Sequence, residues 1–354
     1  MTSKNRLLFP ILLFAIAVVL APGGGRNAAS AQDTRAGGYA GPADLRAGDY
    51  ERPVPGWPGR PYDLHIPGGY APSRPAPVVM AIHGGGANSK NMARLSSPAG
   101  NTEDEGSLNK VADRYGFVVV YPNGTSHRAF RNVRTWNAGG GKNGLTCVSE
   151  YACENNIDDI GYFRTLLDDL KRAVNVDSTR IYATGISNGA AMSHRLACEF
   201  SDSIAAIAPV AGANQFSAVE PCSPPRAVSV LQIHGTDDRS WPYAGGKGGP
   251  LSKNHVFVAV PQTISEWVSR NGCNSKPVIE RLPDADPRDG TRVKMETYDN
   301  CRDRAEVVFY IIEGGGHTWP GGYQYLAERI VGKTSMDMNA NEAMLKFFRK
   351  HAIR

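Results

Sequence analysis

The sequence predicts an α/β fold with a mostly parallel central sheet and helices on both faces. Short runs of continuously apolar residues recur along the chain, stretches with helical spacing lie between them, and glycine-rich or polar segments follow several of the runs. Strands that are apolar without alternation are buried on both sides, which is typical of a parallel sheet covered by helices. Because such sheets bind ligands beyond the carboxyl ends of their strands, we expect the functional residues there.

The elements follow one another in a regular order. The predicted strands are 78–82, 117–121, 180–184, 204–210, 228–233 and 307–312, and the predicted helices are 108–115, 160–170, 190–200 and 342–351. Gly116 ends the first helix, and a Pro-Asn-Gly turn follows the second strand. Apolar residues recur at helical spacing over 160–170, where Asp158 is well placed to cap the first turn.

The amino-terminal segment is typical of an export signal. Lys4 and Arg6 precede an apolar run over 7–21, and Ala29-Ser30-Ala31 fits a cleavage site. The alternative, an uncleaved anchor helix, is disfavoured because the run is short for a bilayer. We therefore expect a signal peptide over residues 1–31, a secreted mature chain (extracellular or periplasmic), and no stable membrane anchor after cleavage.

The remaining chain predicts an arm and one domain. The segment 35–61 is rich in Gly, Pro and Arg, which favours an extended or partly disordered arm over residues 32–60. No linker, repeat or low-complexity tract interrupts the rest, so residues 61–354 are predicted to form a single domain.

Charge and cysteine content exclude several functions. The formal net charge is +5, and removal of the three basic residues of the signal segment leaves +2, which argues against a nucleic-acid partner. No C-x-x-C or H-E-x-x-H occurs, so we expect neither a metal nor another cofactor. An even number of cysteines after an export signal predicts three disulfides, and sequence neighbours favour the pairs Cys147–Cys153, Cys198–Cys222 and Cys273–Cys301.

The most informative motif is Gly185-Ile186-Ser187-Asn188-Gly189. It lies between the strand 180–184 and the helix 190–200, as does the nucleophile elbow of α/β-hydrolases. The glycines permit a sharp turn that leaves a serine hydroxyl above the sheet edge. A glycine-bounded loop is the simpler interpretation, but the strand before and the helix after favour Ser187 as a nucleophile.

A serine nucleophile needs a base and an orienting carboxylate, which in this fold follow it in the order acid, then histidine. Of the eight histidines, His317 lies on a glycine-rich loop after the last predicted strand, where the base belongs, although a solvated loop histidine is the alternative. Asp237 and Asp238 both follow the strand 228–233, and spacing does not decide between them. His83 and His234 also end strands and fit structural roles.

Acyl transfer also requires donors for the developing oxyanion. In this fold class one donor is the N–H of the residue after the nucleophile, which is Asn188. The other comes from a loop after an earlier strand, and His83-Gly84-Gly85-Gly86 fits it. A plain flexible turn would explain these glycines but not their placement.

Several segments together resemble the secreted polyhydroxybutyrate depolymerase and feruloyl esterase family. They are the run over 157–212, FVVVYPNG (117–124), TWNAGG (135–140), HGTDDRSWPY (234–243) and GGGHTWPGG (314–322). The resemblance covers roughly residues 60–350 and implies a single α/β-hydrolase catalytic domain. It also implies that Asp238 is the triad carboxylate and that Gly85 takes the oxyanion role. The chain departs from the family pattern in two places that bear on the shape of the acyl pocket. Trp241 replaces the usual small aliphatic residue before Pro242-Tyr243, and the cysteines after TWNAGG are spread out to Cys147 and Cys153.

The resulting hypothesis is a secreted serine carboxylesterase that forms an acyl-enzyme. No appended surface-binding domain is visible, so we expect hydroxycinnamoyl or acetyl esters of polysaccharide, or soluble hydroxyalkanoate oligomers, to fit at least as well as polymer. Trp136, Trp241 and Trp319 could form a substrate platform, or they could pack the loops. The alternatives are a polyhydroxybutyrate depolymerase acting on polymer, a serine peptidase of the same fold, and a non-catalytic binding protein.

Overall fold

The computed structural model describes residues 45–126, 132–148, 150–249 and 251–354. The predicted signal peptide and the first part of the predicted arm lie outside the described residues. Within the described ranges, no helix combines the length and the apolar character that a membrane span requires.

Ten strands of the described chain form one sheet: β1 (Gly48–Arg52), β2 (Tyr62–Ile66), β3 (Ala76–Ile82), β4 (Val118–Pro122), β7 (Val176–Ile186), β8 (Ala206–Val210), β9 (Ser229–Gly235), β12 (Val278–Arg281), β13 (Arg292–Tyr298) and β14 (Val307–Glu313). Two small hairpins consist of β5 (Thr125–Ser126) with β6 (Arg134–Thr135), and β10 (Gly246–Lys247) with β11 (Val256–Phe257). The helices are α1 (Ser89–Leu95), α2 (Leu108–Tyr115), α3 (Glu150–Glu154), α4 (Asp159–Ala173), α5 (Asn188–Glu199), α6 (Val260–Asn271), α7 (Glu328–Val331) and α8 (Ala340–Phe348), with a 3-10 turn at Arg302–Arg304.

The strand order in the sheet is β1-β2-β4-β3-β7-β8-β9-β14-β13-β12. The six central strands, β4 to β14 in that order, run parallel. The two strands at each edge are antiparallel to their neighbours. The predicted α/β-hydrolase fold with a mostly parallel sheet is therefore confirmed.

Helices cover both faces of this sheet, which explains why its central strands are apolar throughout. In β3, Val78 and Met80 face a core that contains residues of α4, α5 and α6, whereas Val79 and Ala81 face a core with residues of α1, α2 and α8. Successive side chains of a strand point to opposite faces, so both sets must be apolar when both faces are covered. The carboxyl ends of the parallel strands remain at one edge for the site.

The predicted boundary of the amino-terminal arm is wrong for its last part. Strand β1 pairs antiparallel with β2, and the guanidinium of Arg52 donates to the buried carboxylate of Asp169 from its Nε at 2.9 Å. Arg60 is buried and donates to Asp159 at 2.5 Å. Glycine and proline content suggested an irregular arm, but these two arginines bind buried carboxylates of α4 and fix the segment to the fold.

Three disulfides join the six cysteines in the predicted pairs, Cys147–Cys153, Cys198–Cys222 and Cys273–Cys301. Each joins neighbours in the sequence and closes a local loop. The set fits an oxidising compartment.

Candidate active site

The G-x-S-x-G segment forms a tight turn between β7 and α5. Ser187 has φ +58° and ψ −119°, a conformation that costs a non-glycine residue free energy and is found at functional turns. The turn also packs directly on the end of β3. A Cβ at Gly185 would come within 2.5 Å of the Ile82 carbonyl oxygen, and one at Gly189 would collide with the carbonyls of Ile82 and His83. Glycine is required at both positions, and the half-buried Ser187 stands between them.

The structure brings Asp238 and His317 together at the same end of the sheet. Asp238 follows β9, His317 follows β14, and Nδ1 of His317 donates to Oδ2 of Asp238 at 2.7 Å. The other carboxylate oxygen accepts the backbone N–H groups of Ser240 and Trp241, each at 2.8 Å. This bonding fixes the tautomer of His317 that leaves Nε2 to act as a base.

The neighbouring Asp237 lies in a different environment. It is exposed, and its carboxylate accepts the hydroxyl of Thr236 at 3.1 Å. Its backbone N–H donates to Gly315 on the loop that carries His317. Of the two aspartates that spacing left open, the geometry therefore places the Asp238 carboxylate on the histidine.

Two buried histidines support the loops of the site. His234 Nε2 donates to the carbonyl of Trp241 at 2.9 Å and lies 3.3 Å from Oδ2 of Asp238, and burial lowers its pKa although Asp238 opposes the shift. His83 donates from Nδ1 to the carbonyl of Gly84 and accepts the N–H of Gly124 at Nε2. Burial lowers the pKa of His83 to about 3. Both rings are therefore neutral at pH 7.

The loop carrying His317 is held by a segment that the sequence does not mark as functional. Tyr325 donates its hydroxyl to the His317 carbonyl at 2.9 Å, and the His317 N–H donates to the Val331 carbonyl at 2.5 Å. Both partners lie in a stretch with short α7 and no recognisable motif. Only the tertiary structure reveals their contribution.

The glycine loop after β3 lies against the serine turn. A Cβ at Gly84 would be 3.5 Å from the Ser187 Cβ, and one at Gly85 would be 3.6 Å from the Asn188 Cβ. Gly85 is exposed to solvent. The two residues predicted to supply oxyanion donors are thus adjacent in space, although about 100 residues separate them in the chain.

The three tryptophans predicted as a substrate platform are buried, which corrects that prediction. Trp136, Trp241 and Trp319 are 0%, 1% and 0% exposed. Their indole N–H groups donate to the His83 carbonyl, the Val258 carbonyl and the Asn341 side chain, respectively. A ring without an exposed face offers no surface to a ligand, so all three pack the loops at this edge.

The arrangement suits acyl transfer by a serine. A partly exposed serine in a strained turn, a buried acid–histidine pair and a glycine loop are the parts that this chemistry requires. Within the described part of the chain, no three His, Cys, Asp or Glu side chains are grouped so that they could hold a metal ion.

Comparison with known proteins shows the family of this chain. The model of the Esterase PHB depolymerase family matches residues 60–244, more than half of the chain. The chain is 28% identical over 298 residues to NocK of Nocardia uniformis subsp. tsuyamanensis, a protein named as an esterase, covering 81% of this chain and 78% of that protein. It is 27% identical over 261 residues to feruloyl esterase B of Piromyces equi, covering 72% of this chain but only 42% of the Piromyces protein.

Solved structures share the fold at lower sequence identity. The crystal structure of native pOPH is 16% identical and has a TM-score of 0.50, covering 89% of this chain and 91% of that chain. At this identity the likeness concerns the fold alone, whereas the family match extends from Arg60 through the serine turn to the segment that carries Asp238. The chain belongs to the Esterase PHB depolymerase family, and it is a carboxylic ester hydrolase.

Proposed function

We propose that this protein is a serine esterase in which Ser187 is the nucleophile, His317 the general base and Asp238 the orienting acid. The observation that carries the proposal is the 2.7 Å bond between His317 and Asp238 at the sheet edge where Ser187 occupies its strained turn. The order serine, acid, histidine agrees with that of the fold class.

The reaction proceeds through an acyl-enzyme. Nε2 of His317 accepts the proton of Ser187 Oγ as the oxygen attacks the ester carbonyl, and the same proton passes to the departing alcohol. The backbone N–H groups of Gly85 and Asn188 stabilise the oxyanion of the tetrahedral intermediate. Water then attacks the acyl group with His317 again as base, which releases the acid and restores Ser187.

The proposed substrates are hydroxycinnamoyl or acetyl esters of polysaccharide, or soluble hydroxyalkanoate oligomers. Relatives named feruloyl esterase, such as feruloyl esterase C of Emericella nidulans (25% identity over 268 residues, 76% of that protein), favour the first class. The name of the family model favours a second candidate, a depolymerase that acts on polyhydroxybutyrate itself.

We also propose that the protein is secreted as a single catalytic domain. Three disulfides support an oxidising compartment, and residues 1–31 have the pattern of an export signal. We place the start of this domain before residue 61, and the membership of β1 in the central sheet supports that boundary.

A hydrolysis panel with purified protein tests the substrate class. We expect release of ferulate from methyl ferulate, of acetate from acetylated xylan, or of monomer from hydroxybutyrate oligomers, with the Ser187→Ala variant as background. Clearing of polyhydroxybutyrate films at rates above those on all soluble esters would favour the depolymerase. Hydrolysis that persists in Ser187→Ala would overturn the proposed nucleophile.

A further inference from the structure

An oxyanion hole works only if its donors are held in place before the substrate arrives. One proposed donor, Gly85, lies within three consecutive glycines, the residue type with the greatest backbone freedom. The other, Asn188, begins α5 and is held by the serine turn. The structure must therefore supply something that fixes the glycine loop relative to α5.

The segment Arg134 to Trp136 binds the glycine loop on one side. The N–H of Gly86 donates to the Arg134 carbonyl at 2.8 Å, and Ala87 forms a β-bridge with Arg134. The indole N–H of Trp136 donates to the carbonyl of His83 at 3.0 Å. These bonds flank Gly85 on both sides in the sequence.

The same segment binds the serine turn on its other side. The side-chain amide of Asn188 donates to the Trp136 carbonyl at 3.0 Å and accepts the Trp136 N–H at 2.8 Å. This pair of bonds is equivalent to one step of a β-ladder, made by a side chain. Both residues are buried, so water does not compete for the bonds.

Trp136 is itself firmly held. Its ring stacks on Phe163 with centroids 5.3 Å apart, and it lies 5.0 Å from the ring of His83. The next N–H, that of Asn137, donates at 2.7 Å to Asp159, which also binds the guanidinium of Arg60.

We propose that Trp136 is a positioning residue that couples the two halves of the oxyanion hole. This inference rests on the proposed function, because it assigns the hole to Gly85 and Asn188. Three hydrogen bonds through one buried residue set the separation of the two donors. The coupling acts on the tetrahedral intermediate more than on the bound ester, because the oxyanion forms only after attack.

The test compares two tryptophan-to-phenylalanine variants. Trp136→Phe retains a buried ring and removes the bond to the His83 carbonyl. Trp267→Phe is the matched control: Trp267 is equally buried and its indole N–H donates at 3.0 Å to His194, in a core contact outside the proposed catalytic machinery. Thermal unfolding of each variant reports the structural cost alone.

We expect Trp136→Phe to lower kcat on a soluble p-nitrophenyl ester by about 10- to 100-fold, the scale of a displaced catalytic donor. It should weaken inhibition by an alkyl boronic acid, which forms a tetrahedral serine adduct, by a similar factor while KM changes less than about twofold. Trp267→Phe should lower the unfolding temperature but keep kcat.

Asn188→Ala provides a second variant, because it removes the side-chain bonds to Trp136 and keeps the backbone N–H. It should give the same pattern in kcat, KM and boronic acid affinity. Normal kinetics in a folded Trp136→Phe variant, or equal losses in Trp267→Phe, would overturn the coupling while Ser187→Ala remained inactive. An active Ser187→Ala enzyme would instead overturn the proposed function itself.

Discussion

Two sets of serine, histidine and carboxylate lie at opposite ends of the parallel strands of the sheet. At the carboxyl ends of β9 and β14, Asp238 binds His317, at the sheet edge where Ser187 follows β7. At the amino ends, Ser229 Oγ is 3.1 Å from Nδ1 of His351, whose Nε2 is 3.0 Å from Glu306. This second set, Ser229, His351 and Glu306, has the complete hydrogen bonding of a triad.

The second set nevertheless lacks what a serine nucleophile requires. Ser229 lies in regular β9, is 3% exposed, and its hydroxyl also accepts the Glu306 N–H at 3.3 Å. The second set instead binds the carboxyl-terminal residues to the sheet, because the Tyr182 hydroxyl also donates to the His351 carbonyl. Ser187 differs by its strained turn, partial exposure and adjoining glycine loop. A hydrogen-bonded trio is thus insufficient evidence of catalysis.

The largest expected difference between the two sets is the effect on kcat of replacing each serine by alanine. Ser187→Ala should lower kcat on a p-nitrophenyl ester by about 10⁴- to 10⁶-fold, because it removes the nucleophile. Ser229→Ala should keep kcat within about threefold. Steady-state kinetics measure both, and labelling of wild type by a serine-directed phosphonate should map to Ser187. Comparable losses in the two variants would contradict the comparison.

The carboxylates give the next largest difference. Asp238→Asn should lower kcat by about 10³- to 10⁴-fold, because an amide no longer enforces the correct histidine tautomer. The adjacent, exposed Asp237 is the matched control, and Asp237→Asn should retain nearly full activity. The reverse outcome would mean that the acid is misassigned.

The central strands are predictable from the sequence because they are buried. Strands β3, β4, β7, β8, β9 and β14 are covered on both faces, so their apolar runs are continuous and visible. The four antiparallel strands β1, β2, β12 and β13, two at each edge of the sheet, were not predicted, because none of them is an apolar run buried along its whole length. Val278 and Ile279 of β12 are more than half exposed, and β1 has no apolar run.

The candidate site likewise contains residues that the sequence marks and residues that only the tertiary structure reveals. Ser187, Asp238 and His317 each follow a visible strand, so fold class and chain order were enough to select them, apart from the choice between the two aspartates. The burial of Trp136 depends on contacts with His83, Phe163 and Asn188 from distant parts of the chain. No local pattern distinguishes such a residue from an exposed aromatic.

The disulfides extend the comparison to stability. In the loop-entropy account, the Cys273→Ser/Cys301→Ser variant should lose roughly 4 kcal/mol of unfolding free energy and the Cys147→Ser/Cys153→Ser variant roughly 2 kcal/mol, because the larger loop is constrained more. The smaller bridge follows closely after Trp136, so its loss should lower kcat more. Urea unfolding and steady-state kinetics on both double variants test whether stability and kcat respond differently. The expectation is refuted if the variant that loses more unfolding free energy also loses more kcat.

The smallest expected effect is the pH dependence of the stability that Glu306 of the second set contributes to the fold. The hydrogen bond from His351 lowers the pKa of Glu306, with Lys350 contributing. A carboxyl whose pKa is lower in the folded state stabilises the fold above its unfolded pKa, and that stabilisation is lost as pH falls through the folded pKa. Glu306→Gln should therefore cost roughly 1 kcal/mol at pH 7 and progressively less in acid.

Urea unfolding of wild type and Glu306→Gln between pH 7 and pH 3 measures this effect. A free-energy difference that stays constant over that range would show that the charge of Glu306 contributes nothing. Esterase activity should be unchanged at pH 7, which keeps this readout separate from the site.

The pairing of each cysteine with the next one along the chain has a consequence for biogenesis. Six cysteines allow 15 pairings, and this protein uses the one in which partners emerge consecutively. A polypeptide that enters an oxidising compartment from its amino end exposes one complete pair before the first cysteine of the next appears. Oxidation in order of emergence would therefore yield the native set, so we expect production of the folded protein to require a thiol oxidant but no disulfide isomerase.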